Sequence, residues 1–380
     1  MAYLSSIAFL CVQTDSLLSY SITMQPFLKL SDPSTYVACN WDLCGDDNAR
    51  AHWVGFFLRH LNTILKLGVS AATFRGEAVD AAMSRAENCR SEFAEGFADF
   101  ARRPAEFAQL HGSVTILTLD KWRDDYLRKH HFVDAFVDLK NRENEKTLPL
   151  LPLVCRQLDV LEGEQQLRAV IEGIFAGNIF DMGAEATAAA FMDGGPDFFS
   201  TREKLPRRPW LIDDYDALAD RFLNQPVHRK AVFFIDNAGS DFLLGAVPMM
   251  RWLAKRGTSI VLAANERPTL NDMTIHDVNA WWPRIVEMEP SLAELPIERV
   301  STGTGEPLID LFAVSPELNQ ATADADLVIL EGMGRGVESN LDAQFSCDAL
   351  NLAMLKDIAV AERCGGKMFD VVCRFRNRVH

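Results

Sequence analysis

From Lys230 onward short apolar runs alternate with segments of helical period, and this alternation most restricts the architecture open to the chain. AVFFID (231–236), TSIVLAAN (258–265), IERVST (297–302), DLVILEG (326–332) and MFDVVCRF (368–375) read as strands. SDFLLGAVPMMRWLAKRG (240–257, with Pro248 as a possible kink), TIHDVNAWWPRIVEM (274–288) and the whole of LDAQFSCDALNLAMLKDIAVAERCGG (341–366) read as helices, SPELNQATA (315–323) as a helical turn, and PLIDL (307–311) as a short strand or loop. Strands that are continuous apolar runs, each followed by a helix, predict an α/β fold: a doubly wound, mostly parallel, Rossmann-like sheet.

The N-terminal part has a different rhythm. Apolar residues recur at helical spacing in AHWVGFFLRHLNTILKLG and SEFAEGFADFARRPAEFAQL, and the stripe Trp53, Phe56, Phe57, Leu61 and Ile64 predicts a packed seam rather than a cofactor box. His52, His60, His111, His130 and His131 have no accompanying cluster and receive no role. Punctuation at Thr147-Leu-Pro-Leu-Leu-Pro152 marks the expected boundary between a mainly helical lobe (1–150) and an α/β domain (151–380). Residues 1–45, with turns at Pro26 and Pro33, are expected to wrap the lobe. A further helix is expected over Val160 to Ala176, halted at Gly177, and another beginning at Asp213 or Asp214.

A net charge of −15 argues against a nucleic-acid partner, because backbone recognition needs a basic surface to displace counterions. No stretch is long and apolar enough to span a bilayer, and the apolar run near the N-terminus lacks the positively charged flank of a signal peptide. The eight cysteines show neither CxxC pairs nor zinc spacing and read as reduced thiols, so a cytoplasmic location is expected. A homo-oligomer is compatible with this composition.

In open α/β sheets ligands bind beyond the carboxyl ends of the strands. Here one strand ends in Asp236-Asn237-Ala-Gly, the next runs into Asn265 and on to Asp272, and a later one ends in Glu331-Gly-Met-Gly-Arg335. Asp236, Asn237 and Asp272 are oxygen donors suited to a hard divalent cation such as Mg²⁺ or Mn²⁺. An Asp after a strand also serves as a helix cap or turn former. Gly332 and Gly334 with Arg335 suggest a backbone cradle and a guanidinium for a phosphate. Glu331 either orients water or pairs with Arg335 or an amide. Asn178, Asp181, Asn265 and Asp310 are substrate-contact or second-layer candidates that also fit turns and caps. Neither a Walker A sequence nor a GxGxxG after a strand is present.

DNAG (236–239), PTLND (268–272), EGMGR (331–335) and GNIFDMGA (177–184) together resemble, in order, the motifs of the metal-dependent damage-control phosphatases, long catalogued only as a domain of unknown function. EGMGR points to the subfamily containing the C-terminal domain of pantothenate kinase 4 type proteins and their stand-alone plant relatives, and the similarity runs from STYVACNWDL to CRF. The resemblance implies a divalent cation (Mn, Mg, Co or Ni) held by Asp236, Asn237 and Asp272. It also implies hydrolysis of a small phosphorylated metabolite, 4′-phosphopantetheine or its oxidised and sulfonated forms. The chain departs from the family pattern at Glu266-Arg267, a bulky charged pair where smaller residues such as Ser and Gly stand.

For mechanism, attack by water and formation of an aspartyl phosphate on Asp236 both remain open at this point. Sugar phosphates are the alternative substrates. A non-catalytic metabolite-binding protein of the same fold is the alternative class, and a methyltransferase fits the strand ends less well.

Overall fold

The computed structural model describes residues 23–179 and 198–378. Helices α1 (Asp47–Phe74), α2 (Val79–Arg102), α3 (Pro104–His111), α4 (Ile116–Lys129) and α5 (Val137–Thr147) form the lobe. They are followed by α6 (Leu151–Asp159), α7 (Gly163–Asn178) and α8 (Phe198–Glu203). The seam predicted on α1 is real: Trp53, Phe57, Leu61 and Ile64 are buried against Phe93, Phe97, Phe100 and Phe136, with Phe56 packed at its margin. The same cluster continues into Leu308, Val337, Ala353 and Leu355, so the lobe packs directly on the strand-end region.

The strands are β1 (Ile212–Asp213), β2 (Lys230–Phe234), β3 (Ser259–Ala264), β4 (Ile297–Ser301), β5 (Leu327–Glu331), β6 (Asp348–Met354) and β7 (Val371–Arg376). They form one sheet in the order β1-β7-β6-β5-β2-β3-β4. β6, β5, β2, β3 and β4 are parallel, whereas β7 runs antiparallel to β6 and parallel to β1. Side chains alternate across this sheet. Ala231, Phe233, Ile260, Leu262, Leu327 and Ile329 join the core built with α7, while Val232, Phe234, Val261, Ala263, Val328 and Leu330 face a second cluster with Phe27, Leu30 and Val314. Burial on both faces is why these strands read as unbroken apolar runs.

Intervening helices are α9 (Tyr215–Asn224), α10 (Val247–Lys255), α11 (Ile275–Met288), α12 (Pro316–Thr322) and α13 (Ile358–Arg363). Asp214 stands at the N-terminal boundary of α9. A π-type segment, Asp241–Ala246, precedes α10 and leaves Pro248 in that helix's first turn, where a missing N–H costs least.

Three expectations are corrected. The expected long helix over 341–366 is instead β6, a connection and the short α13; all seven β6 side chains are buried, so no period-two alternation betrays the strand. Gly177 does not halt its helix, since α7 runs to Asn178; a Cβ there would lie 2.8 Å from the Ser240 carbonyl, so glycine permits close packing. The described part of the N-terminal segment covers both bodies: Gln25 is bridged to Val314 and Leu30 to Phe345 on the sheet domain, whereas Cys39, Trp41 and Leu43 join the lobe's cluster as expected, Leu43 N–H donating to the Val114 carbonyl at 2.8 Å.

Candidate active site

β2 is the point where the sheet reverses direction: the chain proceeds outward from it through β3 and β4, then returns to its other side with β5. Strand ends diverge there and leave a crevice, the place where an open α/β sheet takes its ligand. Asp236 follows β2, and Arg335 follows β5 on the adjoining side.

The loop after β2 is zipped to the loop after β3. Ala238 N–H donates to the Asn271 carbonyl at 2.9 Å and Met273 N–H to the Asp236 carbonyl at 3.0 Å, pairing Asn237 with Asp272 in a short antiparallel bridge. These backbone bonds bring Asp236, Asn237 and Asp272 together although a whole helix and strand separate them in sequence. Asn265 supports the arrangement, its amide donating to Asp272 Oδ2 at 3.1 Å and to the Glu306 carbonyl at 3.2 Å.

Arg335 lies in a second π-type segment, Gly334–Ser339, and is almost fully buried. Its Nη1 contacts Asp236 Oδ1 and its Nη2 donates to Asp272 Oδ2 at 2.7 Å. Gly332, at φ +90°, passes so close to Asp236 that a Cβ would collide with the carboxylate. Its N–H is bonded to the Leu352 carbonyl at 3.0 Å, so Gly332 supplies close packing rather than an amide for an anion cradle. Gly334 is likewise pressed against the Pro307 carbonyl, 2.9 Å from where a Cβ would stand.

Asn178 reaches the same centre from the last turn of α7. Its side-chain amide donates to Asp241 Oδ2 at 3.0 Å and to Asp236 Oδ2 at 3.5 Å, and its main-chain carbonyl accepts from Lys356 Nζ at 2.9 Å. Asp181 lies outside the described residues. Asp310 accepts from Phe312 N–H at 3.0 Å and forms a turn. The charged pair Glu266-Arg267 turns outward, Glu266 to the Ser301 hydroxyl and Arg267 toward Glu306.

Sequence reasoning missed Asp241, Lys356 and the contribution of α4. Asp241 accepts from the Asn237 backbone and side-chain amides at 3.3 and 2.9 Å. Lys356 stands just beyond β6, the strand that was expected to be helix. From α4, Arg123 donates to Asp124 at 2.8 Å, to Asp120 at 2.5 Å and to the Thr269 hydroxyl at 2.9 Å, tying the lobe to the loop that carries Asp272.

Four buried acids, Asp236, Asp241, Asp272 and Glu331, meet two buried cations, Arg335 and Lys356. Neither Glu331 oxygen receives a hydrogen bond among the described residues, nor does Asp241 Oδ1. Burial raises the Asp236 carboxyl well above the usual range, Arg335 opposing and Asp272 and Asp241 adding to it. Burial and the adjacent Asp241 do the same to Glu331. Among the described residues no group of three or more His, Cys, Asp or Glu side chains forms a metal cluster. Asp236, Asp272 and Asn237 offer two carboxylates and an amide: Asn237 uses its side-chain N–H groups on Asp236 and Asp241, which leaves its side-chain carbonyl oxygen for a cation. Hard oxygen donors and excess buried negative charge fit a divalent cation.

Above this centre lies a cavity of about 500 Å³, lined at its floor by Asp236, Asn237, Asp272 and Lys356 and on its walls by residues of α1, α4 and the segment before α13. That volume is in the range that holds a small-molecule ligand.

Such a crevice on such a sheet is the setting of an α/β enzyme acting on a small molecule. The chain belongs to the damage-control phosphatase family: the model of the damage-control phosphatase ARMT1-like domain matches residues 78–372. A damage-control phosphatase of Arabidopsis thaliana is 36% identical, the match covering 93% of this chain and 97% of that protein. Pantothenate kinase 2 of Arabidopsis thaliana is 35% identical over 93% of this chain, which spans 42% of that longer protein. The 4′-phosphopantetheine phosphatase of Mus musculus is 32% identical over 91% of this chain and 48% of its own length. A crystal structure of a DUF89 family protein from Pyrococcus horikoshii superposes with a TM-score of 0.58 at 17% identity, covering 86% of this chain and 98% of that one, and so shares the fold.

Proposed function

We propose that this protein is a metal-dependent phosphatase whose substrate is 4′-phosphopantetheine or an oxidised or sulfonated form of it. The observation that carries the reading is the convergence of Asp236, Asn237 and Asp272 around Arg335 at the sheet's switch point, on the floor of the cavity. The names of the mouse and Arabidopsis relatives support both the reaction and the substrate.

Asp236, Asn237 and Asp272 would hold the cation, Mn, Mg, Co or Ni, which when bound supplies positive charge to the phosphoryl oxygens and the departing alkoxide. Lys356, an ammonium with three donors, already holds the Asn178 carbonyl and presents positive charge at the cavity floor for a phosphate oxygen. Arg335 keeps Asp236 and Asp272 together and offsets their repulsion. Both oxygens of Asp236 are engaged, Oδ1 by Arg335 and Oδ2 by Asn237 at 2.8 Å. With Asp236 assigned to the cation, water is the nucleophile we favour. Trapping a phosphoenzyme during turnover would reverse this preference. We infer a cytoplasmic location from the cysteines, the seven among the described residues all being free thiols.

The test is an assay of the purified protein against 4′-phosphopantetheine and a panel of sugar phosphates, after chelation and then with each metal restored. Hydrolysis of 4′-phosphopantetheine that returns with metal, and is absent in Asp236→Ala, is the expected result. A preference for sugar phosphates would replace the substrate but keep the reaction. No metal-restored hydrolysis of any ester would end the phosphatase reading.

A further inference from the structure

The cavity has two unlike ends. Its floor carries Asp236, Asp272 and Lys356, whereas α1 presents, beside His52 and Arg59, an aromatic surface on which Trp53 and Phe57 are buried and Phe56 is left half-buried. The Phe56 ring is fixed by edge contacts to Trp53 at 5.5 Å and Phe57 at 5.7 Å and by a tilted contact to His60 at 5.3 Å. Met333, Ile358 and Met368 line the same space, and Ile358 is 45% exposed. Two of the polar pairs on these walls are mutually engaged, His52 lying 3.2 Å from Asp357 and Asp120 pairing with Arg123, and Arg59, His60 and Glu338 line the space as well. Aromatic and aliphatic side chains nonetheless make up the larger part of the surface the cavity offers a ligand.

We propose that Phe56, with Met333, Ile358 and Met368, is the specificity wall of the site, selecting phosphomonoesters whose alcohol carries an extended chain with methyl and methylene segments. This rests on the phosphatase reading and adds to it the residues that discriminate between substrates. A chain lying along the wall covers apolar surface that is otherwise left to water. A short polyol ester does not extend along the wall and forgoes that burial. Because the ring is already held by its neighbours, little ordering is required when the chain binds.

The test compares kcat/KM for 4′-phosphopantetheine and for glycerol 3-phosphate in the wild type, Phe56→Ala and Ile358→Ser, with melting temperatures measured alongside. The wild type is expected to prefer the long-chain ester. Phe56→Ala should reduce that preference about tenfold, about 1.4 kcal/mol, mainly through KM, because it removes apolar surface that the bound chain covers. Ile358→Ser, at an exposed position that tolerates a polar side chain, should move it in the same direction by less. Pantetheine, the dephosphorylated chain, should inhibit the wild type competitively and Phe56→Ala more weakly. If Phe56→Ala does not fold, Ile358→Ser decides. An unchanged preference in the folded variants, or a wild type that hydrolyses both esters without preference, overturns the wall and leaves the phosphatase reading intact. Failure of the wild type to hydrolyse either ester with any metal overturns both.

Discussion

Arg335 places its guanidinium between Asp236 and Asp272, with Nη2 2.7 Å from the Asp272 carboxylate, in surroundings that leave Arg335 only 1% exposed. Replacing it strands two buried carboxylates without their shared cation. Arg335→Gln is expected to lower stability by about 3–5 kcal/mol, the range for breaking a buried pair, and to reduce turnover at saturating metal. Arg335→Lys should recover only part of both losses, because a single ammonium cannot reproduce the planar fork. Urea unfolding and steady-state kinetics check the two together.

Gly332 tests the packing behind that pair. Alanine there meets an unfavourable φ of +90° and a collision with Asp236 at once. Gly332→Ala should cost about 1–3 kcal/mol through the backbone alone and more through the displaced carboxylate. A lower melting temperature accompanied by a loss of kcat is the expected pair of results. Retention of full activity would show that Asp236 has freedom to move.

Lys356 was invisible as a site residue in the sequence, and its removal is correspondingly informative. Lys356→Met preserves length while deleting the charge that faces the cavity floor. A fall in kcat/KM of about 10²-fold is expected, comparable to losing one preorganised electrostatic donor. Measurement at several ionic strengths separates this local loss from long-range attraction, which salt screens.

Asp120 gives the protein a distinctive pH response. Burial is the main cause that pushes its carboxyl up to about 7, with Arg123 opposing and Asp124 reinforcing the rise. The folded state thus binds this proton more tightly than the unfolded chain, whose Asp titrates near 3.9. The contribution is complete below the unfolded value and is lost as pH rises toward 7. Asp120→Asn should therefore flatten the decline in stability between about pH 4 and pH 7, read from denaturation midpoints across that interval.

The strand ends at Asp236, Asn265 and Glu331 were legible because each apolar run stops abruptly at a polar residue, a pattern that survives without knowledge of the fold. β6 was not legible. Ala349, Leu350, Leu352, Ala353 and Met354 are good helix formers, and burial of every β6 side chain erased the alternation that marks a strand. That single misreading concealed another strand end, and with it Lys356. Asp241 was hidden for a different reason, since an acidic residue in a helix's first turn is ordinary. Arg123 and Asp120 could not be assigned from spacing at all. Their connection to Thr269 and the Asp272 loop crosses from lobe to sheet, and only the fold creates it.

β7 is the last strand in chain order, yet it lies between β1 and β6 rather than at an edge. The connection that enters it also fixes Leu355, whose N–H donates to the Asp370 carbonyl at 2.9 Å and whose carbonyl accepts from Phe369 at 2.7 Å. Lys356 is the next residue. A nascent chain that has not yet threaded Val371–Arg376 into the sheet thus lacks both an interior strand and the anchor of a cavity cation. The backbone that closes the sheet is thereby also the backbone that seats a cation of the cavity.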